Sequence, residues 1–154
     1  MFGQALQVKL LSSGAVVPTR GSEYAAGWDL YLPGTVTLRP SEVARVGFQI
    51  AVAIPAGYVG LLVPRSSAGV KLGVRLANTV GVIDSDYRGE VVAAVQLSDK
   101  KVSSLVINDE QVVIKKGSRI CQLVIVPVCV APLKVVSSLP DTLRGEGGFG
   151  STGL

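Results

Sequence analysis

The sequence predicts an all-β, single-domain fold with one short helix. Nearly half of its 154 residues are apolar (48%) but only 5% are aromatic, so Val, Leu, Ile and Ala must fill the core, and this favours strands. The apolar residues occur in short runs between Gly and Pro residues, a spacing typical of sandwiches, jelly rolls and barrels. A chain of this length suits one domain, and no long segment has the 3.6-residue period of a helix.

The apolar runs are the predicted strands. They cover residues 7–11, 28–32, 43–54, 58–63, 89–97, 111–114 and 119–130. Between the third and fourth runs, Pro55 and Gly57 occupy the second and fourth positions of a four-residue turn. This is the type I preference, so we expect a hairpin there. The predicted helix runs from about Ser66 to Leu72, because Ser66 and Ser67 can satisfy the free N–H groups of its first turn.

Charge and residue usage exclude several classes of function. The formal charge is +4 and the sequence pI is 9.3, but Lys and Arg are scattered and few aromatic residues accompany them. We therefore expect no nucleic-acid partner, while an anionic metabolite remains possible. Histidine is absent, which excludes a histidine base and the usual zinc sites. A catalytic base must then be a carboxylate, Lys, Tyr or Cys.

The two cysteines are not expected to form a disulfide. Cys121 and Cys129 lie eight residues apart in one apolar run, and an unbroken strand of that length spans roughly 26 Å. This distance is far beyond disulfide reach.

Neither the N-terminal residues nor the most apolar stretch predicts a membrane segment. Residues 1–17 lack the basic start and apolar block of a signal peptide. The strongest apolar stretch, residues 120–133, is too short for a membrane span and contains two prolines. We expect a soluble intracellular protein, in the cytoplasm, the nucleus or both, with no membrane partner.

A short segment at the start of the predicted helix has the components of an anion site. Arg65, Ser66 and Ser67 supply a guanidinium and two hydroxyls beside free backbone N–H groups. A capped surface helix would explain the same residues, so the segment alone does not decide between the two interpretations.

The turn at residues 78–90 places two carboxylates between apolar runs. Asp84 directly follows an apolar pair and is a candidate general base, and Asp86 lies two residues further on. The segment could also be a turn without a chemical role, and such a turn would need only Gly89. Both interpretations remain open from the residues alone.

The composition changes after residue 136. Residues 1–136 are the predicted β domain, and residues 137–154 form a glycine-rich arm that cannot hold itself in a core. A frayed tail is one interpretation. An arm that closes over a ligand is the other, because Arg144 and Phe149 stand in this flexible strip.

Five segments resemble, in order and spacing, the motifs of the trimeric dUTPase family. They are residues 26–30 (AGWDL), 64–69 (PRSSAG), 81–90 (GVIDSDYRGE), 117–123 (GSRICQL) and 144–153 (RGEGGFGSTG). The resemblance implies a distorted jelly roll or β-barrel with a flexible C-terminal arm. It also implies a dUTP pyrophosphatase that converts dUTP to dUMP and pyrophosphate, which lowers dUTP and supplies dUMP for dTTP synthesis.

The resemblance implies roles for residues around the base and sugar. Asp84 would activate a water for in-line attack on the α-phosphorus, which suits a chain without histidine. Tyr87 would lie flat against the deoxyribose and leave no space for a 2′-hydroxyl. The main chain of an expected 81–92 hairpin, with Asn78 beside it, would bind the uracil edge. The hairpin residues concerned are Gly81, Val82, Ile83 and Val92.

The resemblance also implies contacts to the phosphates and a metal. The phosphate chain would be held by Arg65, Ser66, Ser67 and Gln122. The arm would contribute Arg144, Phe149, Gly150, Ser151 and Thr152, with Phe149 stacked over the uracil. Asp29 would meet Mg²⁺ through its water shell, because this ion is bound mainly by substrate phosphates. The partners would be dUTP and two further copies of the chain, in a homotrimer with shared active sites.

One segment departs from the family pattern, and two other functions compete. Residues 97–116 are longer than the family usually has between its third and fourth motifs, and we expect an extended hairpin there. A dCTP deaminase has a similar fold and Arg-Ser-Ser segment. A catalytically silent relative could act as a signalling or interaction module. The arrangement of Asp84 and Tyr87, together with the retained arm, favours the dUTPase.

Overall fold

The structure is a computed structural model, which describes residues 5–98, 106–107 and 111–148 and has eleven strands and one helix in these ranges. The elements in chain order are β1 (Gln7–Leu10), β2 (Gly27–Tyr31), β3 (Val36–Leu38), β4 (Ala44–Ala53), β5 (Tyr58–Pro64), α1 (Ser66–Leu72), β6 (Val74–Leu76), β7 (Gly81–Ile83), β8 (Glu90–Leu97), β9 (Val106–Ile107), β10 (Gln111–Ile114) and β11 (Arg119–Pro127). Each predicted run contains a strand, which confirms the all-β prediction. The strands β3 and β6 were not predicted, and β7 and β9 were expected only as parts of the hairpins at residues 81–92 and 97–116, because two to three residues are too few to show a period.

The strands form three sheets. Their orders are β1-β4-β8-β6, β3-β10-β9 and β2-β11-β5-β7, and all pairs are antiparallel. These sheets are open within the described ranges, so they match a distorted jelly roll and not a closed barrel. In the third sheet β5 lies between β11 and β7, so it connects the two regions that carry the site residues.

The inner faces of the sheets share one apolar core. Phe48 is the largest fully buried side chain, at 1% exposure, and Leu30, Leu62 and Val91 contribute from other strands. Apart from Phe48 and Cys121, the largest fully buried side chains are Leu, Ile and Val, as the composition predicts. Buried positions alternate with half-buried ones along β8 and in the middle of β5, so the outer faces of these strands are partly accessible.

The prediction of a hairpin between β4 and β5 is wrong, because the two strands do not pair, although the chain does turn there. β4 pairs with β1 and β8, whereas β5 pairs with β11 and β7, so the turn carries the chain between two sheets. Tyr58 N donates to Pro55 O at 3.2 Å, which places Gly57 third in the turn. Its φ of +82° is the conformation that a type II turn requires at this position.

The segment of residues 81–92 is likewise not a hairpin. β7 pairs with β5, and β8 pairs with β4 and β6, so the turn between them joins two sheets. The extended hairpin expected within residues 97–116 is present where the structure describes it, because β9 pairs antiparallel with β10. Residues 99–105 and 108–110 lie outside the described ranges.

The helix α1 has the predicted bounds but a different cap. Arg65 is the N-cap residue and makes no side-chain capping hydrogen bond. Ser66 and Ser67 lie inside the first turn, so the expectation that they cap the helix is wrong. Gly73 ends the helix in the left-handed conformation, with φ of +65°, which suits glycine.

Residues 128–148 contain neither helix nor strand and are largely exposed. The prediction that residues 137–154 form a separate arm is neither confirmed nor contradicted by this. Of the helices in the described ranges, none has the length and apolarity needed to cross a membrane.

The burial of Phe48 gives a test of the core. Phe48→Ala should lower the free energy of unfolding by about 3–5 kcal/mol, since a large cavity would remain among aliphatic side chains. Val17 is 58% exposed, and Val17→Ala should change it by less than about 0.5 kcal/mol. Urea unfolding at equal protein concentrations measures both. Equal effects of the two substitutions would contradict the assigned core.

Candidate functional site

A cavity of about 330 Å³ lies where the turn after β7 meets the outer face of β8. It is lined by Arg45, Val82, Ile83, Asp84, Tyr87, Glu90, Val92 and Ala94. Five of the residues that the sequence predicted for the base, the sugar and catalysis are therefore together: Val82, Ile83, Asp84, Tyr87 and Val92. The alternation of β8 places Glu90, Val92 and Ala94 on one face, opposite the buried Val91.

The catalytic candidate stands at the edge of this cavity. Asp84 is exposed and directly follows the buried Ile83 at the end of β7. Its carbonyl accepts a hydrogen bond from Tyr87 N at 3.2 Å, and this closes the turn. An exposed carboxylate at the mouth of a cavity can accept a proton from a water molecule inside it.

The Tyr87 ring is held in place by its neighbours. Its hydroxyl donates to Glu90 O at 3.1 Å. A Cβ at Gly89 would overlap the phenol, so glycine is required for the ring to lie over the backbone there. Arg88 Nη1 donates to Ser85 O at 2.8 Å and to Tyr87 O at 2.9 Å, which stiffens the turn. The exposed face of the ring, with Tyr87 at 44% exposure, can therefore pack against a flat ligand.

Glu90 joins this turn to a distortion in β4. The β4–β8 register shifts between Gly47 and Ala51, and Gln49 within that bulge has a φ of +54°. Gln49 N donates to Glu90 Oε1 at 2.8 Å. A Cβ at Gly47 would overlap the Glu90 carboxylate. The bulge thus accommodates Glu90 and satisfies one of its oxygens.

A second cluster surrounds Asp29, which is 5% exposed. Asp29 Oδ1 is 2.9 Å from Arg65 Nε, and Asp29 Oδ2 is 3.1 Å from Arg119 Nη1. Asp29 faces outward with Gln122, its register partner across β2 and β11, and the two guanidiniums cover it. One buried carboxylate between two arginines leaves the cluster with one surplus positive charge, which suits an anionic ligand.

Gln122 on β11 is the neighbour of Asp29 across the strand pair and belongs to the same cluster. Its side chain lies against Gly27, where a Cβ would overlap its amide. Across β11 and β5, Gln122 also pairs with Val63, two residues before Arg65. Ser66 and Ser67 follow at the start of α1. The structure therefore brings together Asp29, Arg65 and Gln122, with both serines adjacent in the chain.

The two clusters lie at opposite parts of one sheet. Ile83 pairs with Gly60, and Arg65 lies five positions from Gly60, away from Asp84, or roughly 17 Å at the usual rise per residue. Arg65 also turns toward Asp29 on β2, and β2 and β7 are the opposite edges of the sheet. Within one chain, Asp84 and Arg65 therefore lie in separate regions of the sheet.

Three further predicted residues lie outside both clusters. Gly81 is buried in β7 against Leu62. Asn78 is exposed, and its carbonyl accepts from Val80 N at 2.6 Å. Arg144 is exposed, and its Nε donates to Gly147 O at 2.8 Å. The predicted Phe149, Gly150, Ser151 and Thr152 lie outside the described ranges.

Sequence reasoning missed three charged residues. Arg45 and Glu90 line the cavity, and Arg119 contacts Asp29. Arg119 and Glu90 belong to the segments that carry the family resemblance, and this was the available signal. Arg45 lies on β4 opposite Ala94, and only strand pairing reveals its position.

Cys121 is excluded as a nucleophile or base. Burial raises the pKa of its thiol from 9.0 to about 12, so the reactive thiolate is absent near neutral pH. Both Cys121 and Cys129 are free, as the spacing predicted. Cys121 therefore does not compete with Asp84 for the role of base.

The donor set around Asp29 was compared with what a metal ion requires. The described ranges contain no group of three or more Cys, Asp or Glu side chains able to hold a metal. Both oxygens of Asp29 are paired with arginines, so this carboxylate could meet Mg²⁺ only through water, which is compatible with an ion that keeps several waters and is bound largely through phosphates. It does not fit an ion that needs a full set of protein ligands.

Comparison with known proteins gives one consistent result. The family model described as dUTPase matches residues 14–153. The chain is 45% identical to the deoxyuridine 5′-triphosphate nucleotidohydrolase of Syntrophotalea carbinolica over 97% of each chain. It is 41% identical to that of Mus musculus, over 98% of this chain and 86% of the mouse protein. A solved structure of the Staphylococcus bacteriophage 80alpha dUTPase with dUPNHPP has a TM-score of 0.85 and 36% identity, covering 97% of this chain and 99% of that one.

Proposed function

The chain belongs to the dUTPase family, whose members are dUTP nucleotidohydrolases, and we propose that it hydrolyses dUTP to dUMP and pyrophosphate with Asp84 as the base. The observation that carries the assignment to Asp84 is its exposed carboxylate at the mouth of the cavity that Tyr87 also lines. The oxygen of a water bonds to the α-phosphorus, and its proton passes to Asp84. The bond from the α-phosphorus to the bridging oxygen breaks, and pyrophosphate leaves.

Base recognition is assigned to the free edge of β7. β7 is the last strand of its sheet, so the backbone groups on its outer side can pair with the polar edge of uracil. Val82 and Ile83 line the cavity, and Asn78 lies just before this strand. A slot formed by the backbone can exclude the methyl group of thymine, and its donors and acceptors do not match cytosine.

Sugar selection is assigned to Tyr87. The hydrogen bond to Glu90 O and the contact with Gly89 support a fixed ring orientation. A ring held flat against the deoxyribose leaves no room for a 2′-hydroxyl. This would reject UTP by contact, without a dedicated polar group.

Phosphate binding is assigned to the cluster around Asp29. Arg65 uses Nε for Asp29, so its Nη groups are the donors for phosphate oxygens, assisted by Ser66, Ser67 and Gln122. Bound Mg²⁺ neutralises phosphate charge in such a site, and Asp29 would hold it through water. Arg144, with the arm residues Ser151 and Thr152, would reach the terminal phosphate.

The site is proposed to be shared between subunits of a homotrimer. Arg65 lies roughly 17 Å along β5 from Gly60, the register partner of Ile83 beside Asp84, and this supports sharing, since one ligand must contact both groups. A neighbouring copy can supply Arg65 to the Asp84 cavity, and threefold symmetry then repeats the same contact at each site. Residues 137–154 are proposed as the arm that closes over the uracil, through Phe149 and Gly150.

The first prediction concerns selectivity. With Mg²⁺, dUTP should be hydrolysed while dTTP, dCTP and UTP are poor substrates, because the β7 slot and Tyr87 reject them by different contacts. Pyrophosphate release at matched concentrations measures this. Comparable kcat/KM for dTTP and dUTP would reject the assignment of the slot. Complete absence of dUTP hydrolysis would instead favour a silent relative.

The second prediction concerns the base. Asp84→Asn keeps the shape of the side chain but cannot accept the proton, so kcat should fall by roughly 10²- to 10⁴-fold while dUTP still binds. Asp86→Asn is the matched control, since Asp86 is an exposed aspartate of the same turn that does not line the cavity. It should have a mild effect. Near-normal turnover by Asp84→Asn, measured under saturating dUTP, would place the base elsewhere.

A further inference from the structure

Arg119 is connected to the phosphate cluster without being assigned to the substrate. Its Nη1 is 3.1 Å from Asp29 Oδ2, while Arg65 holds the other carboxylate oxygen. Asp29 is therefore bridged on both sides. Removal of Arg119 would leave a buried carboxylate with Arg65 as its one described cationic partner, and Asp29 would be free to reorient.

A bulge in β11 produces this contact. The register with β2 shifts between Arg119 and Cys121, so Ile120 and Cys121 are both buried, at 1% and 0% exposure. Arg119 is then directed to the outer face beside Asp29. At the same bulge, Ile120 O accepts a hydrogen bond from Arg65 N at 2.8 Å. One local distortion thus fixes the Arg65 backbone and the Arg119 side chain together.

The remaining contacts of Arg119 restrict its movement. Its guanidinium lies over the Tyr31 ring, 5.6 Å from the centroid, and the Tyr31 hydroxyl is 2.7 Å from Thr19 Oγ1. Thr19 O accepts from Asp29 N at 2.7 Å. These contacts lead from Arg119 through Tyr31 and Thr19 back to Asp29, so both the backbone and the carboxylate of Asp29 are held.

We propose that Arg119 is a positioning residue that fixes Asp29 and thereby orients the Arg65 guanidinium toward the phosphates of the substrate. The proposal rests on the phosphate-binding role of Arg65 in the proposed function. Arg119 itself does not contact the substrate. It acts through Asp29, so its effect exists only while Arg65 is present.

The test combines a ligand comparison with a double-mutant cycle. Arg119→Ala should weaken binding of the analogue dUpNHpp, measured calorimetrically, by roughly tenfold, because the Arg65 donors lose their alignment. Inhibition by deoxyuridine, which has no phosphate, should change less than about twofold. A purely structural defect would weaken both ligands. In kcat/KM for dUTP, Arg65→Ala with Arg119→Ala should be no worse than Arg65→Ala alone.

The controls separate this proposal from the proposed function. Arg39→Ala removes the same charge from an exposed surface ion pair with Glu42 and should leave dUTP hydrolysis unchanged. Arg119→Lys keeps a cation beside Asp29, and it is also combined with Arg65→Ala in a double-mutant cycle. The test therefore does not depend on whether the Arg119→Ala variant folds well. The role of Arg119 would be overturned if the two losses in kcat/KM multiply in the double variant. It would also be overturned if Arg119→Ala binds dUpNHpp within twofold of wild type. A wild-type protein that fails to hydrolyse dUTP would overturn the proposed function instead.

Discussion

The pairing of β5 between β11 and β7 is the constraint on which the arrangement of the site depends. It places the turn with Asp84 beyond one end of β5 and Arg65 at the other. Each residue of the strand adds about 3.3 Å, so the two groups stand well apart within a chain. Under the proposed function they are two half-sites of different chemistry, a carboxylate beside a slot for the base and an arginine cluster for phosphates. A second copy of the chain would then combine them.

Both half-sites depend on local departures from regular strands. In β4, the bulge with Gln49 at positive φ accommodates Glu90, whose carbonyl accepts the hydrogen bond of Tyr87. In β11, the bulge after Arg119 binds the Arg65 backbone and directs Arg119 to Asp29. Strands with ideal alternation would direct these side chains differently. The distortions therefore orient functional groups that the sheets alone would not bring together.

The sequence predicts most of the strands and the helix, because apolar runs bounded by Gly or Pro residues are local signals. The resemblance predicted site roles for Asp84, Tyr87 and Arg65, and the structure places the first two at one cavity and Arg65 beside Asp29. Pairing between distant strands has no such local signal, so the hairpins at Pro55 and after Gly81 were predicted wrongly. For the same reason the roles of Arg45, Glu90 and Arg119 were missed. Each depends on a partner at least 40 positions away in the chain or on a bulge in the register.

Subunit mixing tests the shared site most directly. Asp84→Asn and Arg65→Ala chains, each nearly inactive alone, are co-refolded in equal amounts, and mixed trimers are isolated through two different tags. If Asp84 and Arg65 of one site come from different chains, every isolated mixed trimer restores both groups at one of its three sites, or about one third of the sites. Activity should then return to about that fraction of the wild-type level. Verified mixed trimers that remain inactive would show that one chain supplies both residues, and would contradict the account.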